Sequence, residues 1–128
     1  SSIILEKILS ETSDISISVD SKKELGSEEM KVAINSTGRP IKISKDIHKL
    51  QAHGEYIGMS KFTSEGSIKF YETITDVINK FGYNVFYEFV FQCLMDEQYS
   101  MSICDIGEFA WAEIDTKEDL KKAQLDFL

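Results

Sequence analysis

The segment Trp111-Ala112-Glu113-Ile114-Asp115-Thr116-Lys117-Glu118-Asp119-Leu120 sets two carboxylates, Glu113 and Asp115, two residues apart in a short apolar run. Side chains of an extended chain alternate, so both acids project from one face while Ala112 and Ile114 take the other. Two carboxylates at a strand end suit a hard cation such as Mg²⁺ that also carries substrate phosphates. The same residues admit a plainer reading as a helix entry, with Thr116 as N-cap and Asp119 completing a capping box. Two further acids stand where chemistry is conceivable. Glu55 follows Gly54 at the start of E-Y-I-G-M-S-K-F, just after a loop holding His48 and His53, and Glu88 follows Tyr87 in a run that also carries Phe86, Phe89 and Phe91. Taken singly, Glu55 also reads as a solvated strand end and Glu88 as an exposed helix position. The two histidines are five apart, whereas helical metal pairs are spaced by four, so they read as a solvated pair. Cys93 and Cys104 lie in no CxxC or CxxH pattern, which argues against zinc. Cys93, in the apolar run Val90 to Met95, is expected to be a buried structural thiol.

The elements that must position these residues follow from periodicity. Ile4, Leu5, Ile8 and Leu9 have helical spacing, and residues 14–20, DISISVD, alternate as a strand does. Residues 21–29 are polar and charged with a glycine, and read as a loop. Residues 30–35 and 40–44 read as two strands joined by Ser36-Thr37-Gly38-Arg39, a hairpin turn. Pro40, the only proline, opens the second of them, where a missing donor is tolerated. Residues 55–62 read as another strand. Apolar residues at 68, 70, 71, 74, 77, 78 and 81 predict a helix over 67–81, with Gly82 at its end. An aromatic helix is expected over 84–97, strands over 101–106 and 109–115, and a closing helix over 117–127. Strands and helices mixed in this order indicate an α/β or α+β layered domain.

The bulk composition narrows the function. Twenty-two acidic against 14 basic residues give a formal net charge of −8, the opposite of a nucleic-acid footprint. Phosphate ligands stay compatible with it, because a bound cation offsets local negative charge. A 42% hydrophobic content in 128 residues is enough for one domain with one core. No apolar stretch reaches the ~18 residues that span a bilayer, and no signal peptide is visible, so no membrane partner and a cytoplasmic setting are expected.

Taken in order, a strand and Gly-containing turn, I-K-I-S-K-D-I, G-E-Y-I-G-M-S-K-F, a helix with F-Y-E, and W-A-E-I-D-T-K-E-D-L resemble the C-terminal half of a bacterial nucleotidyltransferase. The nearest likeness is to the small cytidylyltransferases acting on phosphocholine or 2-aminoethylphosphonate, a branch of the sugar-phosphate nucleotidyltransferases. The likeness runs from about Ser2 to Leu120. It implies the nucleotide-diphospho-sugar transferase fold, here the C-terminal portion of a doubly wound mixed sheet with flanking helices, lacking the N-terminal nucleotide-binding half. It implies transfer of CMP from CTP to an amino-alcohol phosphate or phosphonate, with Mg²⁺ as cofactor.

Residue by residue, Asp115 matches the family's second metal-binding carboxylate, with Glu113 its neighbour. Glu55 matches the acid that contacts the acceptor, and Tyr87 with Glu88 matches the helix lining the acceptor pocket. Tyr56, Tyr71, Tyr87 and Trp111 are candidates for the rings that would hold an ammonium head group. In-line attack by the acceptor needs no protein nucleophile, so no catalytic side chain is assigned. The family's glycine-rich triphosphate loop and first metal-binding Asp have no counterpart among these residues. The chain also opens directly into a helical segment, whereas an α/β sheet commonly begins with a strand and its ligand loop. On this reading the 128 residues are the acceptor- and metal-binding half of a longer enzyme and are inactive alone. Alternatives are a sugar-phosphate nucleotidyltransferase, which would replace aromatic rings by Asn79, Asn84 or Gln92, and a non-catalytic α+β binding module. An exposed sheet edge would let two copies pair as a dimer.

Overall fold

The computed structural model describes residues 3–84 and 86–107. The elements run α1 (Ile3–Leu9), β1 (Ile15–Asp20), β2 (Lys31–Ile34), β3 (Pro40–Ser44), β4 (Gly54–Phe62), α2 (Ser64–Phe81), α3 (Tyr87–Asp96) and β5 (Met101–Asp105). The expected strand over 109–115, with Trp111, Glu113 and Asp115, and the closing helix lie outside the described residues. The five strands form one mixed sheet in the order β3-β2-β4-β1-β5. Only β1 and β5 are parallel, and the other three pairings are antiparallel. A mixed sheet with helices places the chain in the α/β class.

The period-two pattern of β1 divides the molecule into two faces. Ile15, Ile17 and Val19 are fully buried in a core with Val90, Phe91, Leu94 and Met95 of α3, joined by Phe70 and Ile74 of α2. Phe91 is the hub of that core. Its ring meets those of Tyr56, Phe62, Phe70 and Tyr87 at centroid distances of 5.8, 6.4, 5.3 and 6.0 Å. On the opposite face Ile8 of α1 packs with Cys104, Ile106 and Ile57. There β1 presents Ser16, Ser18 and Asp20, all buried. The hydroxyls of Ser13, Ser16 and Ser102 bond one another across β1 and β5. Ser18 Oγ has no hydrogen-bond partner among the described residues.

Both long helices depart from their apolar periodicity at one end. α2 starts at Ser64, three residues before the predicted 67, because Thr63 caps it: its hydroxyl accepts from the Gly66 N–H at 3.0 Å. Cap residues are polar and carry no apolar spacing, so periodicity is blind to them. The helix ends where expected, at Gly82, whose φ of +84° is cheap only for glycine and whose N–H reaches the Ile78 carbonyl. α3 starts at Tyr87, three residues after the predicted 84. Phe86 precedes it in extended conformation and has no side chain able to cap.

β2 and β3 form the predicted hairpin. Asn35 organises its turn by accepting the N–H groups of Thr37 and Arg39 on one side-chain oxygen. β2 pairs with β4 only at Lys31 and Val32, so the rest of the hairpin extends past the end of β4. Arg39 at its turn donates to the Tyr99 carbonyl, and two further side chains tie it down. Lys31 is 2% exposed, and its ammonium donates to the carbonyls of Glu29 and Lys45 at 3.2 and 2.7 Å. Gln92 of α3 accepts from the Ile43 N–H at 2.9 Å and donates to the Ile41 carbonyl at 3.1 Å.

Candidate functional site

The C-terminal ends of the parallel pair β1 and β5 meet the N-terminal end of β4. Asp20 stands opposite Glu55, and Val19 opposite Asp105. Open α/β sheets carry ligands at this end, because the strands stop there and the connections diverge. Asp20 Oδ1 accepts the N–H groups of Lys22 and Lys23 at 2.9 and 3.2 Å. Asp105 Oδ1 accepts those of Gly107 and Ser21 at 2.9 and 3.3 Å, and its Oδ2 lies 3.5 Å from His53 Nε2. Partial burial pushes the Asp105 carboxyl upward, but the bonds from Ser21 and Gly107 and the His53 ring outweigh it and leave the group below the usual carboxylate range.

Two glycines make this corner possible by their lack of a side chain. A Cβ on Gly54 would stand 2.5 Å from both the Asp20 carbonyl and Val19 Cγ1. One on Gly107 would stand 2.7 Å from Lys22 Cγ and 3.0 Å from Asp20 Oδ1. The G-E dipeptide thus has a steric basis: glycine lets β4 close on β1 at the position that presents the next residue's carboxylate.

Glu55 occupies the centre of this end. It stands in register with Asp20 on one side and Lys31 on the other. β1 therefore ends, and β2 begins, level with Glu55, and because both run antiparallel to β4, residues 21–30 must turn back over a face of β4. From that crossing segment Lys23 Nζ donates to Glu55 Oε1 at 2.9 Å, with the Lys23 side chain 36% exposed and that of Glu55 19%.

Tyr87 and Glu88 were expected to share one concavity with Glu55; the register of β4 separates them. Tyr56 turns into the core on the α2–α3 side, where its ring stands 6.2 Å from that of Tyr87. Glu55, one residue earlier, takes the opposite face of the strand. Tyr87 lines a groove of about 410 Å³ with Tyr56, Ser60 and Phe70. Glu88 lines a different one of about 500 Å³ with Lys45, Phe86, Phe89 and Gln92. Glu88 still acts electrically on the rings. The Tyr87 phenol is raised from its usual value by burial and then by Glu88, and that of Tyr56 by burial, with Tyr87 and Glu88 adding. Of the other rings, Tyr71 is 73% exposed on α2, and Trp111 lies outside the described residues.

Neither thiol is prepared for nucleophilic work. Burial raises both, Cys104 to about 11. Cys93, expected to be buried, is only partly so. Among the described residues no group of three or more His, Cys, Asp and Glu side chains is placed to hold a metal ion. Asp20 and Asp105 are committed to backbone N–H groups and His53. The expected Mg²⁺ ligands Glu113 and Asp115 fall outside the described residues. Sequence reading passed over Asp20, Lys23 and the His53–Asp105 pair. A signal for two of them existed, since DISISVD and MSICD are strand-like runs that each end in an aspartate.

No family model, curated protein or solved structure matches the chain. Among the described residues no helix is long and apolar enough to cross a membrane.

Proposed function

We propose that this protein is a nucleotidyltransferase that passes CMP from CTP to a small amino-alkyl phosphate or phosphonate, and that these residues hold the acceptor. The observation that carries the reading is Glu55, a carboxylate delivered by a glycine-dependent close approach to the ligand-bearing end of an α/β sheet, where it already faces an ammonium. The G-E-Y-I-G and W-A-E-I-D-T elements supply the family likeness. Packed cores on both faces of the sheet suit a portion of a doubly wound fold. In the proposal Mg²⁺ belongs to Glu113 and Asp115.

Glu55 and Glu88 would recognise different cations. The rings of Tyr56 and Tyr87 offer the chemistry of a trimethylammonium held by aromatic faces, with Glu88 acting on them from the neighbouring groove. Glu55 is set to accept hydrogen bonds. The sugar-phosphate alternative is weakened by Gln92, whose amide is engaged with β3 and Asp96 and is not free for hydroxyls.

The test is pyrophosphate release by the intact protein with CTP, Mg²⁺ and, in turn, 2-aminoethylphosphonate, phosphocholine and a hexose 1-phosphate. Turnover with an amino-alkyl acceptor is expected. Glu55→Gln should weaken that acceptor about tenfold or more, the cost of a charge-assisted bond, and Glu88→Gln less than twofold. Turnover confined to the hexose phosphate would replace the acceptor class. Absence of turnover with all three would favour a binding module.

A further inference from the structure

We propose that Lys23 is a resident stand-in for the acceptor's cationic group, and that the segment 21–30 is a strap holding it on Glu55 until a primary alkylammonium displaces it. The inference rests on the acceptor reading of Glu55 and adds both a regulatory contact and a choice between acceptors.

The connection passes over β4. β1 runs out past the N-terminal end of β4, while β2 enters level with Glu55 from the Tyr56 side, so residues 21–30 turn back over a face of β4, and the Lys23–Glu55 contact puts the start of that crossing on the face that carries Glu55. Its first residues are fixed. The N–H groups of Lys22 and Lys23 are held by the buried Asp20 carboxylate, and Lys22 packs where any side chain on Gly107 would collide. The Lys23 backbone is thereby anchored beside the site, while its side chain reaches over to Glu55. A rotation of that side chain takes its ammonium off Glu55 while the anchored backbone stays in place.

The strength of the contact fits a displaceable one. An ion pair exposed to this degree is weak, far weaker than a buried pair. It keeps the carboxylate paired when no ligand is present, and a ligand that also binds through its phosphate end overcomes it.

The contact also specifies the cation. Lys23 engages Glu55 by an N–H···O bond of 2.9 Å. A ligand with a primary ammonium reproduces that bond atom for atom. A trimethylammonium has no N–H and cannot. Glu55 is therefore matched to an aminoethyl head group, as in 2-aminoethylphosphonate.

The experiment is calorimetric titration of the intact protein with 2-aminoethylphosphonate and with phosphocholine, comparing wild type, Lys23→Met, Lys22→Met, Glu55→Gln and the Lys23→Met/Glu55→Gln double variant. Circular dichroism confirms that each is folded. Lys23→Met should tighten 2-aminoethylphosphonate about two- to fivefold, the weight of one exposed ion pair. Lys22→Met, which removes the same charge one residue away, should not, and in the Glu55→Gln background the gain should vanish. Equal or weaker binding by Lys23→Met, or an equal gain from Lys22→Met, overturns the strap and leaves the nucleotidyltransferase reading standing. Tighter phosphocholine binding than 2-aminoethylphosphonate by Lys23→Met overturns the primary-ammonium assignment. If neither wild type nor Lys23→Met binds either compound, the acceptor reading fails and the strap with it.

Discussion

On β1, Ile15, Ile17 and Val19 sink into an aliphatic and aromatic core, while Ser16, Ser18 and Asp20, each one residue away, are as deeply buried among hydroxyls and backbone N–H groups. Depth is the same on the two faces; the chemistry is not. The apolar face gains from leaving water and asks only for shape, at roughly 1.5–3 kcal/mol for each large side chain buried. The polar side chains of β1 gain nothing from burial itself, although a small apolar cluster of Ile8, Ile57, Cys104 and Ile106 packs on their side, and each needs a partner to break even. The difference teaches where the sheet is stabilised and where it is organised. The α2–α3 side holds the strands together, and the polar side fixes the conformation of the connections that leave their ends.

That contrast can be attacked from either side. The largest effect is expected on the apolar face. Phe91→Ala, at the hub of four aromatic contacts, should cost about 3–5 kcal/mol in urea unfolding. A loss below about 1 kcal/mol would mean that the core does not centre there. Smaller and opposite effects are expected from two serines on the polar face. Ser16→Ala breaks hydroxyl bonds to Ser13 and Ser102 and should cost about 1 kcal/mol. Ser18→Ala removes a buried hydroxyl with no partner among the described residues and should be neutral or stabilising by up to about 1 kcal/mol. Equal losses in the two variants would show that Ser18 is satisfied after all.

The smallest effect concerns acid. Asp105 has its folded pKa held below that of the unfolded chain. Its charge therefore contributes stability that is present above the unfolded value of about 3.9 and is lost as pH falls through the folded value. Asp105→Asn should be less stable than wild type near neutrality, and the difference should shrink as pH falls through the folded value. A stability difference that persists unchanged into acid would assign the effect to lost packing instead of charge.

The two faces were also unequally legible. The apolar one is written in the sequence as alternation in DISISVD and as helical spacing from Ile68 to Phe81, because burial of apolar groups follows period directly. The described strands and the body of α2 were readable for that reason, and the hairpin and the end of α2 at Gly82 from their glycine and small polar residues. Polar organisation has no period. Thr63 as a cap, Asp20 holding two N–H groups of the next connection, and His53 beside Asp105 depend on which backbone groups lack partners, and that is settled only when the strands are in register. The same limit applies to the candidate site. Glu55, Tyr87 and Glu88 were picked out by residue type, but the opposition of Glu55 to the Tyr56–Tyr87 side follows from which face of β4 meets α3.

Gln92 has a further consequence. β3 is one of the two terminal strands of the described sheet, and such a strand offers a row of outward N–H and C=O groups on which another chain can build. Gln92 takes the Ile43 N–H and the Ile41 carbonyl with one side-chain amide, in the pattern of a neighbouring strand one residue long. Pro40, at the start of β3, has no N–H to offer. A foreign strand approaching there would have to break both amide bonds before making its own. The helix that supplies the core's central aromatic ring thus also guards this edge of the sheet against templated pairing.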